Sequence, residues 1–451
     1  MNEDKDEQEQ VSTDIKLEKN ELDYLLADKT WKEAIIKVDD PDKIITRLVD
    51  LGYSKPSKIQ AKTVPFGLSR KSVGILAQSH NGSGKTLGFM IPAILRVDLS
   101  KPLIKTKTTY LPQVVILAHT NELCSQIAKV GEQIAEAFPE LKVSTGREAA
   151  HIIVKTPGGL LQLMSKKQID LSNINLMVVD EADGQLQGEA GSQLNQCISL
   201  LPPETGLFFF SATYNKEVVD YINLFFKKLK IETVLRILLP PTELKLEGLV
   251  QFSRKCEQNK KIDYVANLIK SLEGDMQVII FVNTKKFADI VLRELDKEGL
   301  SVGLLVSQKD QLPSERSAKL NQFREGKFKI LITTNLLAKG FDQRTIGLVI
   351  NFDLPRDYSS QSTISQKKVD LATYLHRIGR TGRYGDTGLA INLHCTPDEK
   401  DMIEDIERHY GVKIRELSKE AKEFDLVNDC LEQMEALNKK KREELEEKVK
   451  K

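Results

Sequence analysis

The stretch Val73-Gly74-Ile75-Leu76-Ala77, followed by Gly82-Ser83-Gly84-Lys85-Thr86 and then by Leu87-Gly88-Phe89-Met90-Ile91, decides the fold. The first run is apolar and predicts a buried strand, and the last predicts a helix. A glycine-rich loop between a strand and a helix presents backbone N–H groups and the helix N-terminus to phosphate. We therefore expect Lys85 at the terminal phosphates of a nucleotide and the Thr86 hydroxyl at a magnesium ion.

Two acidic residues help to distinguish a phosphate-binding loop from an ordinary glycine turn. Ser79 stands where the strict G-x-x-x-x-G-K-T pattern has its first glycine, so the loop alone leaves an ordinary glycine turn open. Asp180 and Glu181 follow the apolar run Leu176-Met177-Val178-Val179, where an acid is costly unless it faces a polar site. We expect Asp180 to hold magnesium through water and Glu181 to orient an attacking water. A helix cap at Asp183 is the structural alternative.

A third segment, Tyr374-Leu375-His376-Arg377-Ile378-Gly379-Arg380-Thr381-Gly382-Arg383, spaces Arg380 and Arg383 three residues apart in a glycine-interrupted stretch. That spacing suits guanidinium groups that reach phosphate oxygens. A phosphate loop, a metal-binding carboxylate and a source of arginine thus follow one another along the chain. Together they are the parts of a nucleoside triphosphatase.

Short apolar runs alternate with amphipathic stretches on both sides of a break marked by Pro240-Pro241. This alternation predicts α/β architecture with mostly parallel sheets flanked by helices. The expected organisation is a flexible acidic segment at 1–28, a first lobe at 29–238, a linker at 239–248, a second lobe at 249–428 and a charged helix or tail at 429–451. Besides the runs already quoted, the predicted buried strands are Val114–Leu117, Ile152–Val154, Leu207–Phe210, Val278–Val282, Ile330–Thr333 and Leu348–Asn351.

The composition is that of an ordinary soluble protein. Of 451 residues, 40% are hydrophobic and 29% are charged, and the net charge of +1 gives no global sign of a nucleic-acid partner. Five scattered cysteines without a C-x-x-C pair indicate neither a disulfide framework nor a zinc site. No apolar run reaches about 18 residues, and the start Asn2-Glu3-Asp4-Lys5-Asp6 does not resemble a signal peptide. We therefore expect a nuclear and cytoplasmic protein without a membrane span.

From about residue 50 to 385 the chain resembles the DEAD-box RNA helicases. The resemblance is carried by Gly52-Tyr53-Ser54-Lys55-Pro56-Ser57-Lys58-Ile59-Gln60, the phosphate loop, Asp180-Glu181-Ala182-Asp183, Ser211-Ala212-Thr213 and the arginine-containing segment at 374–383. It implies two RecA-like domains, ATP and Mg²⁺ as cofactors, and single-stranded RNA or an mRNA–protein complex as partner of a monomeric enzyme.

The resemblance also assigns roles to individual residues. Gln60 would read the adenine edge, Asp342 would contact the ribose, and Arg380 and Arg383 would reach the terminal phosphate. Trp31 or a neighbour would stack on the adenine, although a place in the core is an equal alternative for Trp31. The implied catalytic residues are Lys85, Asp180, Glu181, Arg380 and Arg383, with Thr86 and Asp180 at the metal. The implied nucleotide-binding residues are Tyr53, Gln60, Ser79, Gly82, Ser83, Gly84, Lys85, Thr86, Gly340, Asp342, Arg380 and Arg383.

For RNA, the resemblance implies contacts by Thr120, Thr156, Gly158, Asn283, Arg324 and Thr333. Coupling between the lobes is implied for Ser211, Thr213 and His376. Within the family, the Lys55-Pro56-Ser57-Lys58-Ile59-Gln60 run, two extra residues before Gly82 and an inserted segment before Tyr374 are similar to the branch that acts in mRNA export at nuclear pores. Pore and activator proteins are therefore expected partners.

Departures from the family pattern lie mostly on the RNA side. Asn121 and Lys339 replace arginines, Gln308-Lys309-Asp310 stands where His-Gly-Asp is usual, and the connection from 141 to 153 is short. ATP hydrolysis is therefore better supported than efficient strand separation. The alternative function is an ATP-binding, RNA-binding scaffold with impaired turnover. A DNA-translocating motor is disfavoured by the match at 52–60.

Overall fold

The computed structural model describes residues 29–35, 38, 40–69, 72–79, 82–146, 148–186, 188–238, 249–272, 276–306, 313–335, 345–357, 368–382, 387–417 and 423–450. The predicted N-terminal segment and linker lie outside these residues. So do Gly340, Asp342 and Arg383 among the expected site residues, and Lys339 and Gln308-Lys309-Asp310 among the departures.

The first sheet is parallel throughout. The strands before residue 239 are β1 (Val73–Gln78), β2 (Ile104–Thr106), β3 (Thr109–Tyr110), β4 (Val114–Leu117), β5 (Val143–Ser144), β6 (Ile152–Lys155), β7 (Leu176–Asp180), β8 (Gly206–Ser211) and β9 (Thr233–Ile237). Strands β2 and β3 form a separate antiparallel hairpin. The other seven pair in the order β5-β6-β4-β7-β8-β1-β9.

Helices cover both faces of this sheet. They are α1 (Trp31–Ala34), α2 (Asp42–Asp50), α3 (Lys58–Gly67), α4 (Lys85–Leu95), α5 (Asn121–Ala135), α6 (Pro157–Ser165), α7 (Ala182–Gln185), α8 (Gly188–Ser199) and α9 (Lys216–Lys228). Because side chains alternate along a strand, Phe210 of β8 packs with Phe89 of α4, whereas Phe209 packs with Phe225 of α9. Burial on both faces explains the uninterrupted apolar runs.

The second sheet has the same architecture. Its strands are β10 (Leu249–Lys255), β11 (Gln277–Phe281), β12 (Val302–Leu305), β13 (Ile330–Thr333), β14 (Ile346–Asn351), β15 (Gly388–His394) and β16 (Arg415–Glu416). They pair in parallel in the order β12-β13-β11-β14-β15-β10-β16. The helices are α10 (Lys261–Ser271), α11 (Lys285–Lys297), α12 (Pro313–Arg324), α13 (Leu371–Ile378), α14 (Pro397–Tyr410) and α15 (Glu423–Lys450). Two parallel sheets flanked by helices confirm the predicted fold class.

The C-terminal helix starts before the charged helix or tail expected at 429–451. Helix α15 begins earlier, at Glu423. Val427, Leu431 and Met434 are buried in the core of the second lobe. Asn438 Oδ1 accepts a hydrogen bond of 2.6 Å from the Thr387 amide. The apolar spacing of about one helical turn anchors the first half of this helix to the second lobe.

Over the part of the chain described above, no helix is both long enough and apolar enough to cross a membrane.

Candidate active site

The expected site residues gather at the carboxyl ends of the parallel strands, the edge where open α/β sheets bind ligands. In the first sheet, Ser79 follows β1, Thr120 follows β4, Thr156 follows β6, Asp180 ends β7 and Ser211 ends β8. In the second, Asn283 follows β11 and Thr333 ends β13. Residues far apart in the sequence therefore share one surface on each lobe.

The phosphate loop is held by both its glycines and a glutamine. Gly82 and Gly84 have φ values of +79° and +92°, which are open to glycine but strained for other residues. Lys85 Nζ donates a hydrogen bond of 2.6 Å to the Ser79 carbonyl. Gln60 Nε2 donates to the Gly84 carbonyl at 2.9 Å, and a Cβ at Gly84 would collide with that amide.

Gln60 also holds its own helix. Its Oε1 accepts a hydrogen bond of 2.8 Å from the Ser57 amide, which closes a capping box at the start of α3. In this structure the Gln60 amide thus joins the helix start to the phosphate loop. The expectation that Gln60 reads the adenine edge stays a prediction.

A cavity of about 500 Å³ opens above the phosphate loop. Seven of the expected nucleotide-binding residues line it on the first lobe, namely Tyr53, Gln60, Gly82, Ser83, Gly84, Lys85 and Thr86. Leu123, Gln126, Ile127 and Val130 of α5 also line it. The sequence analysis did not find these four residues. The apolar face of α5 predicts that they are buried, but it does not indicate that they line a cavity.

Trp31 belongs to the core. Its side chain is 2% exposed and its Nε1 donates a hydrogen bond of 2.6 Å to the Tyr53 carbonyl. Tyr53 is 36% exposed and lines the cavity. Of the two alternatives for Trp31, the structure supports packing, with an indirect role in placing Tyr53.

Two buried carboxylates face the same cavity. Asp180 and Glu181 are 6% and 7% exposed. Burial, followed by the Glu181 carboxylate, raises the pKa of Asp180 to about 7, while Lys85 acts in the opposite direction. Glu181 has a φ of +51°, a strained conformation typical of functional sites. Its buried Oε2 has no hydrogen-bond partner among the residues that the structure describes.

The side-chain oxygens of Asp180 and Thr86 are of the type that binds a magnesium ion. Mg²⁺ takes one or two protein carboxylates together with water and phosphate oxygens rather than a complete protein cage. Asp180 and Thr86 line one cavity, and a divalent cation offsets the charge of the buried acids. In the described ranges, no three side chains of the His, Cys, Asp or Glu type form a metal cluster.

Arg380 of the second lobe lines the same cavity. It is 1% exposed, and its Nε donates a hydrogen bond of 3.0 Å to the His376 carbonyl. One guanidinium from the segment at 374–383 therefore shares a cavity with Lys85 and the two carboxylates. Arg383 lies outside the described residues.

Asp183 joins the two lobes. Its Oδ2 accepts a hydrogen bond of 2.7 Å from Thr213 Oγ1 and lies 3.0 Å from Nε2 of the fully buried His376. The Thr213 amide in turn donates to Ser211 Oγ at 3.3 Å. Two of the three residues expected to couple the lobes, Thr213 and His376, thus meet at one carboxylate, and Ser211 is bonded to Thr213. That carboxylate contacts His376 rather than acting as a simple helix cap.

A second contact between the lobes was not expected. Arg316 of α12 is 2% exposed, and its Nη2 lies 3.2 Å from Oε1 of Glu122 on α5. No sequence pattern links the two residues, because the pair forms only when the two lobes meet. No sequence signal could have found it.

The expected RNA contacts fall into two groups. Thr120 and Thr156 cap α5 and α6, and the side-chain oxygen of each accepts a hydrogen bond of 3.2 Å from the amide three residues later. Gly158 is the second residue of α6. These two helix N-termini are suited to bind phosphate. Thr333, in contrast, is fully buried and its Oγ1 donates to the Thr334 carbonyl at 3.1 Å.

Asn283 and Arg324 bond to neighbours within the second lobe. Asn283 Nδ2 donates to the Leu354 carbonyl at 2.8 Å, and its Oδ1 accepts from Arg377. Arg324, at the end of α12, is exposed and donates to Asn321 Oδ1 at 3.2 Å. Their RNA contacts stay predictions.

A family model described as DEAD/DEAH box helicase matches residues 57–221, and one described as helicase conserved C-terminal domain matches residues 260–385. The chain belongs to the DEAD-box family of ATP-dependent RNA helicases. It is 32% identical to the ATP-dependent RNA helicase DBP5 of Gibberella zeae over 415 residues, which cover 90% of this chain and 80% of the relative.

Two solved structures of S. cerevisiae Dbp5 are similar to the whole fold. Dbp5 bound to RNA and ADP BeF3 matches with a TM-score of 0.78 at 30% identity, covering 90% of this chain and 99% of that one. A Dbp5 variant bound to Nup159, a Gle1 variant, IP6 and ADP matches with a TM-score of 0.59 at 29% identity, covering 86% and 99%.

Proposed function

We propose that this RNA helicase clamps single-stranded RNA between its two lobes, closes over Mg-ATP and reopens after hydrolysis. One observation carries the proposal. Arg380 of the second lobe lines the cavity that contains Lys85, Asp180 and Glu181 of the first. A site assembled from both lobes makes hydrolysis depend on their closure.

The roles of the residues follow from their chemistry. Lys85 places a point charge at the terminal phosphates, and Arg380 adds a planar guanidinium that stabilises the charge of the transferred group. Glu181 orients the attacking water and accepts its proton. A magnesium ion held through Asp180 and Thr86 neutralises phosphate charge when it is bound. These assignments, like those of the RNA-side residues, are part of the proposal.

RNA binding is coupled to this site through both lobes. The N-termini of α5 and α6 hold RNA phosphates on the first lobe. Asp183, Thr213 and His376 relay closure between the lobes, because the Asp183 carboxylate, held by Thr213 within the first lobe, keeps its contact with His376 only in the closed arrangement. RNA that favours closure therefore favours hydrolysis.

The cellular role we propose is remodelling of mRNA–protein complexes during export. The support is the similarity to a Dbp5 structure that contains Nup159 and Gle1, together with the match at 52–60. We place the protein in the nucleus and cytoplasm and at the nuclear pore, with pore and activator proteins as partners. Co-purification of such proteins with the tagged chain, from its own source cells, would support this location.

The decisive experiment is an ATPase titration with single-stranded RNA. We expect RNA to stimulate turnover and single-stranded DNA to stimulate it far less. Glu181→Gln serves as the control, because it should keep ATP and RNA bound while turnover falls about a hundredfold or more. ATP binding without RNA stimulation would instead favour the scaffold function, and equal stimulation by DNA would favour a DNA motor.

A further inference from the structure

A continuous set of buried hydrogen bonds crosses the interior of the second lobe. It starts on β10 at Gln251, whose Oε1 accepts a hydrogen bond of 2.7 Å from the Tyr374 hydroxyl. That hydroxyl accepts at 3.0 Å from Asn392 Nδ2, and Asn392 Oδ1 accepts at 2.8 Å from Asn351 Nδ2. Asn351 Oδ1 accepts at 3.3 Å from Arg377 Nη1. We call these five residues the polar network.

Arg377 ends the network as a hub at the RNA side of the lobe. Its Nε donates to Asn335 Oδ1 at 3.0 Å and its Nη2 to Asn283 Oδ1 at 2.9 Å. Its Nη1 also donates to the Asp353 carbonyl at 2.6 Å, and its guanidinium carbon lies 5.1 Å from the centre of the Phe281 ring. Asn283 and Asn335 follow β11 and β13 at the carboxyl edge of the sheet.

Polar groups in this position need an explanation. Gln251 is 8% exposed and the other four members are fully buried, where apolar side chains would fill the space at no desolvation cost. A buried network whose members are bonded to one another fixes a single geometry. A guanidinium with this many directed bonds is sensitive to small shifts of its partners. The network therefore holds α13 in one place rather than merely filling the core.

Helix α13 also faces the first lobe. Tyr374 and Arg377 are three residues apart, so they share one face of the helix. His376 contacts Asp183, and Arg380 beyond the helix end lines the nucleotide cavity. A rotation of α13 that broke the polar network would displace both of these contacts.

We propose that the polar network couples RNA binding to nucleotide binding, with Tyr374 and Arg377 as positioning residues that touch neither ligand. A change at Asn283 or Asn335 on RNA binding reaches α13 through Arg377, and α13 presents His376 and Arg380 to the first lobe. The inference rests on the proposed function, since it requires RNA and ATP to bind these two sides.

The chain offers a matched pair of variants. Tyr374→Phe removes the hydroxyl from the middle of the network and leaves the ring in place. Tyr410→Phe is the control, because the Tyr410 side chain is only 3% exposed and its hydroxyl donates at 2.7 Å to the carbonyl of Leu371, the first residue of α13, outside the network. Tyr374→Phe deletes two hydrogen bonds, one donated to Gln251 and one accepted from Asn392, whereas Tyr410→Phe deletes one at the same helix.

The measured quantity is the factor by which a non-hydrolysable ATP analogue tightens binding of single-stranded RNA, together with kcat and KM for ATP at saturating RNA. Tyr374→Phe should lower the tightening factor and kcat at least about fivefold, because the loss of one neutral buried hydrogen bond already has that scale, with KM changed less than about twofold. Arg377→Lys, which replaces a fork by a point charge, should lower both further. Tyr410→Phe should resemble the parent.

Each outcome decides the matter. If the ATP analogue tightens RNA binding as strongly in Tyr374→Phe as in the parent, the inference is overturned and the proposed function is not affected. An equal loss in both tyrosine variants, or unfolding of Tyr374→Phe, shows that the hydroxyl only supports the helix and also overturns it. A parent protein without any tightening overturns the proposed function, and the inference with it. Arg377→Lys is not needed for these decisions, so its folding does not limit the test.

Discussion

Glu122→Gln removes the charged partner of a buried arginine that comes from the other lobe. Arg316 Nη2 lies 3.2 Å from Glu122 Oε1, and at an effective dielectric constant of about 20 Coulomb's law gives about 5 kcal/mol as an upper bound. Arg316 Nε and Nη1 are buried without a hydrogen-bond partner in the described part of the chain. Removing one partner of a buried pair costs about 3 kcal/mol, or about a hundredfold in an equilibrium constant.

This loss should fall on closure of the lobes rather than on folding, because the two residues lie on different lobes. With a non-hydrolysable ATP analogue present, the dissociation constant for single-stranded RNA should rise about a hundredfold in Glu122→Gln. Without nucleotide it should change less than about twofold, and the thermal midpoint should stay that of the parent. Fluorescence anisotropy of labelled RNA measures both constants.

An exposed pair within one lobe provides the control. Lys270 Nζ lies 2.6 Å from Glu298 Oε2 on the surface of the second lobe, and Glu298→Gln should change neither constant more than about twofold. The double variant Glu122→Arg with Arg316→Glu restores opposite charges and should recover part of the loss. Parent-like RNA affinity in Glu122→Gln with the analogue, or the same loss with and without nucleotide, would refute the reasoning.

Three further substitutions test the site. Lys85→Ala should weaken ATP binding at least about tenfold and abolish hydrolysis at an unchanged thermal midpoint; nucleotide titration and ATPase rates check this, and normal turnover contradicts it. Arg380→Ala should lower RNA-stimulated kcat about a thousandfold without weakening ATP binding in the absence of RNA, whereas a loss below about threefold would make the residue structural. Asn121→Arg, at the exposed start of α5, should tighten RNA binding and steepen its salt dependence; equal constants at two salt concentrations would place residue 121 away from RNA.

Features carried by contiguous residues were predictable. The run at 73–77 and the loop at 82–86 form β1 and the start of α4, because strand propensity, glycine conformation and helix start act over a few residues. Most strands buried on both faces were found for the same reason. The interior strand β15 and its neighbour β10 were among the strands missed, since Asn392 and Gln251 interrupt their apolar patterns. These polar residues belong to a network whose other members lie on separate segments.

By itself, the sequence determined the class of the fold, the family and the residue types at the nucleotide site, because each rests on a local motif. Only the tertiary structure placed Trp31 in the core, joined Asp183 to His376 and Thr213, and paired Glu122 with Arg316. It also showed Arg377 bonded to three asparagines from three different segments. The strength of such contacts depends on burial and on partners brought together from distant parts of the chain, and no local pattern encodes either.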